Sequence, residues 1–461
     1  MQARPIAVRL LSVIIIIGLA PARPVLSSVP DSPAFLFTVA KQYEPLAWIR
    51  GADRFSSDAV IFLQDATGKH PLAPDFAASA DPSVSFDGKR VLFAGKRNSA
   101  DPWQIWEVAL TGGEPRRITS CTEDCVRPFY LPEDRVVYAK KIDGRFVIEA
   151  TDATNGKSVQ LTYIFGNSLP TDVLRDGRIL FESTYPLGNN GAPELYTVYS
   201  DGSGVESYRC DHGQARHSGK QVVSGDIVFI SSLGLARFIS SRAEEIRIPT
   251  PAGEYAGDIA ETSSGDWLVA WRDGKGQPQS APFQLMWWKP GADSLRPAAA
   301  GPNANVIQPV LVMERTVPKR HPSGLHDWPN ANLLCLNAYT SKYRFAAGSI
   351  RSVRLYTRDG AGNSKLLGSA PVERDGSFFV QVPTEQPLQI ELLDGSGKTL
   401  KRQAGWFWMR RGEQRACVGC HAGPETAPEN AVPMILLKST TPADMTGAVH
   451  SSAGGSSAGG Q

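Results

Sequence analysis

The sequence lacks a dominant charge. Its 48 basic and 46 acidic residues nearly cancel over 461 positions. A general nucleic-acid or anionic-membrane role calls for a basic excess, and composition supports neither. Long apolar runs are scarce too. One lies near the start, and no second follows, so no integral membrane domain is expected beyond it. Cysteines number six, and only one pair, Cys417 and Cys420, has C-x-x-C spacing. A structural zinc site usually needs a second such pair. No G-x-S-x-G elbow occurs outside the Gly/Ser-rich C-terminal run, and the histidines do not cluster as a repeat, so a hydrolase has little to build on.

What is present begins with the N-terminus. Arg4 and Arg9 precede an apolar run, LLSVIIIIGLA at 10–20, and no acid interrupts them. Ala20-Pro21-Ala22 then has the small-x-small form of a cleavage site. This is the layout of a secretory signal peptide over 1–22, and the run is short for a spanning helix. The expected location is periplasmic or secreted in a bacterium, with an uncleaved anchor as the alternative. Cysteine use agrees with an oxidising compartment. Cys121 and Cys125, in CTEDC, are close enough for a local disulfide. Cys335 lies in an apolar run and reads as a buried small hydrophobe.

From residue 81 a unit of short strands and turns recurs. Asp87-Gly88 precedes RVLFAG, then WQIWEVAL, a Gly-Gly turn at 112–113, and PRRIT. Equivalent turns fall at Asp134, Gly177, Gly225 and Gly265, spaced 40 to 48 residues apart. Such a period marks a β-propeller, whose small sheets bury their faces against one another around an axis. An array of β-sandwiches is the rival. Five copies are clear, and the flanks 57–74 and 305–323 hold enough strand to share one further blade. The chain is therefore expected to be all-β, with a propeller of about six blades over 23–317. The phrases DPSVSFDGKRVLF and IWEVALTGGEPRRIT resemble the TolB-type repeat, a likeness extending over roughly 55–310.

Composition shifts at PKRHPSGLHDWPN, 318–330, rich in Pro and His. Beyond it, NLLCLNAY, SIRSVRLYTR, LLGSAPVE, SFFVQV, LQIELLD and TLKRQAGWFWMRR predict about six short strands, a small antiparallel sandwich closing at 438. The segment 439–461 is expected to be a disordered tail.

RACVGCHAGPE, 415–425, carries the chemistry. C-x-x-C-H is the attachment signature of c-type haem. Two thiols add to the vinyl groups, and the next histidine falls beneath the iron. Cys417 and Cys420 are thus the covalent ligands of one haem c, and His421 the axial ligand. A thioredoxin-like dithiol would open a helix in a βαβ unit, whereas the surroundings here are β-rich. Trp406 and Trp408 are candidate walls for a porphyrin, although alternate aromatics also fill cores. Arg415, with Arg410 and Arg411, is a candidate partner for the propionates. Met434 is the first candidate for a sixth ligand, followed by Met409, Met445, His321, His326 and His450. A five-coordinate iron is equally compatible with the sequence.

The stretch 331–432, above all DGSFFVQVP, PLQIELLD and WFWMRRGEQRACVGCH, resembles the middle domain of hydrazine synthase alpha subunits. In that family, too, a propeller precedes the haem-bearing domain. The resemblance implies haem thioethers at Cys417 and Cys420 and a metal at His421. Two departures argue against hydrazine synthesis itself. The family's iron takes a tyrosine ligand shortly after the motif; here Glu425 stands at that point, and no tyrosine follows Tyr356. A second C-x-x-C-H is also absent. The expected function is an exported monohaem protein for electron transfer or small-molecule redox chemistry, docking an unidentified redox partner on its propeller. The alternative is an interaction scaffold in which the haem is structural.

Overall fold

The computed structural model describes residues 33–184, 192–209, 211–274, 281–358, 362–419 and 430–447. Six four-to-five-stranded sheets account for residues 35–311. Blades two to five each use four consecutive strands, starting from Ala78–Val84, Cys125–Leu131, Ser168–Val173 and Arg216–Gln221. In blade six, Glu254–Tyr255 and Ala260–Glu261 both pair with Trp267–Arg272. Blade one joins the two ends of the ring: Asn305–Leu311 pairs antiparallel with Phe35–Ala40, which leads into Val60–Asp65 and Gly68–Pro71. The expected six blades are present, and the shared blade is the first.

Burial runs outward from the axis. Ala78–Val84 and Ser168–Val173 are buried throughout, whereas the outermost Arg116–Arg117 is exposed. The innermost strands share an irregularity. Asp81, Arg127, Ser218, Asp258 and Gln308 hold left-handed φ values of 48–56°. Pairing shifts register beside four of them, at Ala80/Ser83, Val126/Phe129, His217/Lys220 and, where Gln308 lies, opposite Leu36/Thr38. A bulge of this kind re-aims its side chain. Here the bulged residues meet in an ionic cluster. Arg54 lies 3.5 Å from Asp81 and 3.4 Å from Asp258, and Arg127 lies 3.7 Å from Asp258 and 3.8 Å from Glu182. Arg54 arrives on the loop between the first two chain segments of blade one. That loop packs Trp48 against Trp103 and Phe146 of blades two and three. Burial pushes the Asp81 carboxyl up, against the pull of Arg54 and Arg127.

The C-terminal part is a sandwich of two four-stranded sheets. One is antiparallel throughout, in the order Ser364–Pro371, Ser352–Arg358, Gln389–Leu393, Thr399–Arg402. The other has an antiparallel centre, Ala331–Cys335 with Phe378–Val382, and two parallel edges, Gln414–Cys417 and Ala443–Asp444. The two parallel edges depart from the antiparallel sandwich expected, because both edge segments reach the sheet from distant parts of the chain rather than through hairpins. Two further details differ from the sequence reading. TLKRQAGWFWMRR is a strand only over Thr399–Arg402; its aromatic half is held by a single bridge from Phe407 to Leu388. The expected tail from 439 begins inside the fold. Ala443–Asp444 pairs with Val380 and Gln381, and Met445 is buried beside Gly368, because a free sheet edge and an apolar side chain remained to be covered.

Propeller and sandwich share one apolar core. Ile148, Phe181 and Tyr196 of blades three and four cluster with Leu333, Val380 and Trp408. Polar contacts pin the junction. Trp408 Nε1 donates to Gly202 O at 3.0 Å, Arg410 Nη1 donates to Gln160 O at 2.8 Å, and Gly204 N donates to Glu413 Oε1 at 3.2 Å. Gly202 is required by its left-handed φ of 84° and by Leu161, whose Cα would lie 3.2 Å from an added Cβ. Among the described residues, no helix is long and apolar enough to cross a membrane.

Candidate functional site

A cavity of about 790 Å³ opens where blade four meets the sandwich. Its sandwich side follows from strand alternation. Leu333 and Cys335 point inward from Ala331–Cys335, and Phe378 from Phe378–Val382, both strands buried at every second residue. Leu392, Trp406 and Phe407 complete the apolar floor. The propeller side brings Tyr196, Tyr199, Val205 and His212. The edge strand Gln414–Cys417 runs along the opening and carries Arg415 and Cys417 to it.

The electrostatics are mostly settled within the walls. Glu413 is buried and accepts from Arg410 N at 2.8 Å, Arg415 Nε at 2.9 Å and Arg415 Nη2 at 2.6 Å. His212 Nδ1 lies 2.8 Å from Glu194 Oε2, and Gly213 N donates to Glu194 Oε1 at 2.6 Å. Burial pushes the Glu194 carboxyl up, but these bonds outweigh it and hold it below the usual range. Asp211 is also held low: burial opposes ionisation, while Arg216 and Arg209 favour it more strongly. His321 stacks on Tyr199 with centroids 3.6 Å apart. Burial pushes the Cys417 thiol up.

The predicted site residues separate. Cys417, Trp406 and Arg415 line the cavity. Cys420, His421, Glu425 and His450 lie outside the described residues. Trp408 does not line the cavity; it is 1% exposed and packs against Phe181 and Tyr163 in the shared core. Arg410 is taken up by the junction, through Gln160, Tyr163 and Glu385. Met434 starts a five-residue helix, Met434–Lys438, whose first amide donates to Asp375 Oδ2 at 2.7 Å. It is not part of the cavity wall, and neither are the core residues Met409 and Met445. Of the other sixth-ligand candidates, His321 lines the cavity, whereas His326 stacks on Trp328 elsewhere. His212 was not singled out from sequence, since its partner Glu194 lies 18 residues away with no motif between them. Cys121 and Cys125 are joined by a disulfide, their Cα atoms 6.5 Å apart. Cys335 is buried, yet it also faces the cavity.

The spacing within C-x-x-C-H has a local consequence at Gly419. A Cβ there would stand 2.0 Å from Thr340 O and 2.8 Å from Asn337 O. Only glycine lets the chain pass this close after Cys417. Among the described residues, no group of three or more His, Cys, Asp or Glu is placed to hold a metal ion.

A six-bladed propeller fused through a common core to a cavity-bearing β-sandwich defines the class. Comparison with known proteins makes it specific. The sequence profile of the hydrazine synthase alpha subunit middle domain matches residues 341–422, which include Cys417, Cys420 and His421. Hydrazine synthase subunit alpha from Kuenenia stuttgartiensis is 37% identical, in an alignment covering 80% of this chain and 62% of that subunit. The Kuenenia stuttgartiensis hydrazine synthase structure superposes with a TM-score of 0.75 at 17% identity, over 89% of this chain and 72% of that one. TolB from Acinetobacter baumannii gives a TM-score of 0.45 at 15% identity over 62% of this chain and 67% of its own. The chain is a hydrazine synthase alpha-like relative that spans 62% of the curated subunit's length.

Proposed function

We propose that this chain is an exported monohaem c-type protein serving electron transfer or small-molecule redox chemistry. One observation carries the reading. Cys417, the first cysteine of C-x-x-C-H, opens on a cavity of about 790 Å³, within the roughly 300–1,000 Å³ typical of cofactor sites. The walls fit the group: an apolar floor, an aromatic side chain at Trp406, and two histidines, His212 and His321. When bound, haem supplies a one-electron couple whose potential follows from axial ligand, burial and hydrogen bonding.

The chain's own residues have separable tasks. Cys417 and Cys420 would hold the group covalently, and His421 would ligate it. Leu333, Phe378 and Phe407 line the cavity and would exclude water from the bound group. Arg415 is already neutralised by Glu413, so it orients the edge strand rather than meeting a propionate. Arg242, exposed at the rim and without an ion pair among the described residues, is the better propionate partner. The propeller closes the other side of the site and offers its outer surface to a redox partner. Hydrazine formation is not part of this reading, given Glu425.

The test is expression with a haem-attachment system, followed by haem staining on a denaturing gel and a pyridine haemochrome spectrum. One thioether-linked haem per chain is expected, lost in Cys417→Ser with Cys420→Ser. Exported protein without covalent haem refutes the proposal.

A further inference from the structure

One sheet that walls the cavity has a second face. In Gln389–Leu393, Ile390 and Leu392 line the cavity, so Glu391 between them projects from the opposite side. Its cross-strand partners there are Arg354 and Arg402. Glu391 is buried beneath them. Its Oε2 accepts from Tyr356 Oη at 2.8 Å and its Oε1 from Thr399 Oγ1 at 3.0 Å. Arg402 Nε lies 3.2 Å from Oε1, and Arg354 Nη1 lies 3.8 Å from Oε2. The Arg402 guanidinium also lies over the Tyr356 ring, 4.4 Å from its centroid. One carboxylate thus serves two guanidiniums, which stay 37% and 42% exposed, and one positive charge is left over. Leu366, the register partner of Tyr356, is 49% exposed on the adjoining strand. The surrounding region shares the sign: residues 331–447 hold 14 basic and 10 acidic side chains, whereas the remainder holds 34 and 36.

We propose that this face docks a protein partner through an acidic patch, one sheet's thickness from the cavity. Arginine, tyrosine and an exposed apolar side chain are the composition of interface centres. Glu391 and Tyr356 fix the guanidiniums before a partner arrives, so little side-chain freedom is lost on docking. Carboxylates match the guanidinium fork, and the leftover positive charge selects for them. Electron transfer needs both a donor and an acceptor, so a surface besides the propeller's has a task. An electron from a group bound in the cavity would cross from the side of Ile390 and Leu392 to that of Glu391. The group is thereby oxidised and the partner reduced, each by one electron. That route rests on the haem reading above; the docking does not.

The first arm needs no haem. Full-length protein carrying Cys417→Ser and Cys420→Ser is titrated into fluorescein-labelled octaglutamate, and anisotropy reports binding. Adding Arg354→Gln with Arg402→Gln should weaken binding at least about fivefold; glutamine keeps a donor for Glu391, so the sheet is retained. Binding of the parent should also fade as salt shortens the Debye length from about 30 Å to about 3 Å. Lys157→Gln with Arg247→Gln removes the same charge from the exposed propeller surface and should bind as the parent does. An equal loss in that control, or none in the arginine variant, overturns the proposal. Capture by phosphatidylglycerol vesicles through the same arginines, without peptide binding, also overturns it, because the face is then a lipid surface. The second arm uses the haem-loaded protein and follows its oxidation by ferricyanide, an anion, and by tris(phenanthroline)cobalt(III), a cation. The arginine variant should slow the first reaction at least about fivefold at low salt and should not slow the second. An unchanged ferricyanide rate overturns the electron route. Peptide binding in a chain that never acquires haem sinks the haem reading alone. Covalent haem in a chain whose peptide binding ignores Arg354 and Arg402 sinks the docking surface alone.

Discussion

Glu413 is the residue whose loss should tell most about how the cavity is held. Its side chain is 7% exposed and accepts four N–H groups, two from Arg415 and one each from Arg410 and Gly204. The Gly204 bond crosses from sandwich to propeller, and the Arg415 bonds align the strand that presents Cys417. Glu413→Ala removes all four acceptor contacts and leaves the Arg415 guanidinium, 15% exposed, without its partner. Breaking a buried pair from one side costs about 3–5 kcal/mol. Arg415→Met should cost less, about 1–2 kcal/mol, because Glu413 keeps two backbone donors and methionine keeps the packing stem. The double variant isolates the pair. A coupling of about 1.5–3 kcal/mol is expected for bonds between charged groups. The assay is equilibrium urea unfolding of the four proteins followed by tryptophan fluorescence, since Trp406 and Trp408 lie shortly before the pair in sequence. A coupling below about 0.5 kcal/mol is the value of an exposed surface pair. That result would refute the claim that Glu413 and Arg415 form a buried unit, and with it the assignment of Arg415 to positioning.

Three further outcomes are expected. Trp408→Ala should destabilise the junction by about 3–5 kcal/mol, and Trp406→Ala by clearly less, since one side of Trp406 already faces a cavity; the reverse order in denaturant midpoints would contradict their placement. Serine at both Cys121 and Cys125 should lower stability by about 2 kcal/mol, the value for so short a closed loop, and reductant should then have no further effect on the denaturation midpoint. The Asp375 carboxyl is held below its usual range: burial opposes this, but the Met434 amide and the Ser377 hydroxyl and amide prevail. Its contribution is therefore complete above about pH 3.9 and is lost as pH falls through the lower folded value. Thermal melts between about pH 2.5 and 5 should show a shallower acid limb in Asp375→Asn than in the parent.

The repeat was legible because each blade announces itself locally. Asp87-Gly88, Asp176-Gly177 and their equivalents are tight turns with a left-handed residue, glycine except at Asp134, and the strands around them alternate or run apolar. The first blade was half legible for the same reason. Its outer hairpin shows in the sequence, but Phe35–Ala40 is a plain apolar run that acquires meaning only when Asn305–Leu311 closes on it. The axial bulges were not legible at all. Asp81, Arg127 and Asp258 belong to no local motif, and only the ring brings their charges together.

At the candidate site the division is similar. Cys417, Cys420 and His421 are adjacent in the chain, so spacing alone pointed to haem. Trp406 and Trp408 are two residues apart and looked interchangeable, yet they ended on opposite sides of one wall. An irregular segment imposes no alternation, and the propeller surface decided which ring it would cover. The His212–Glu194 pair and the Cys335–Cys417 register depend on contacts across 18 and 82 residues respectively.

The sequence by itself determined the period of the repeat, the class of both β domains and the residues of the attachment motif, because turn chemistry, side-chain alternation and C-x-x-C-H spacing are short-range properties. Only the tertiary structure decided where the ring closes, which aromatic faces the cavity, which arginine is already neutralised and which second thiol stands beside Cys417. Those are matters of burial and register between distant segments, and no local pattern encodes them.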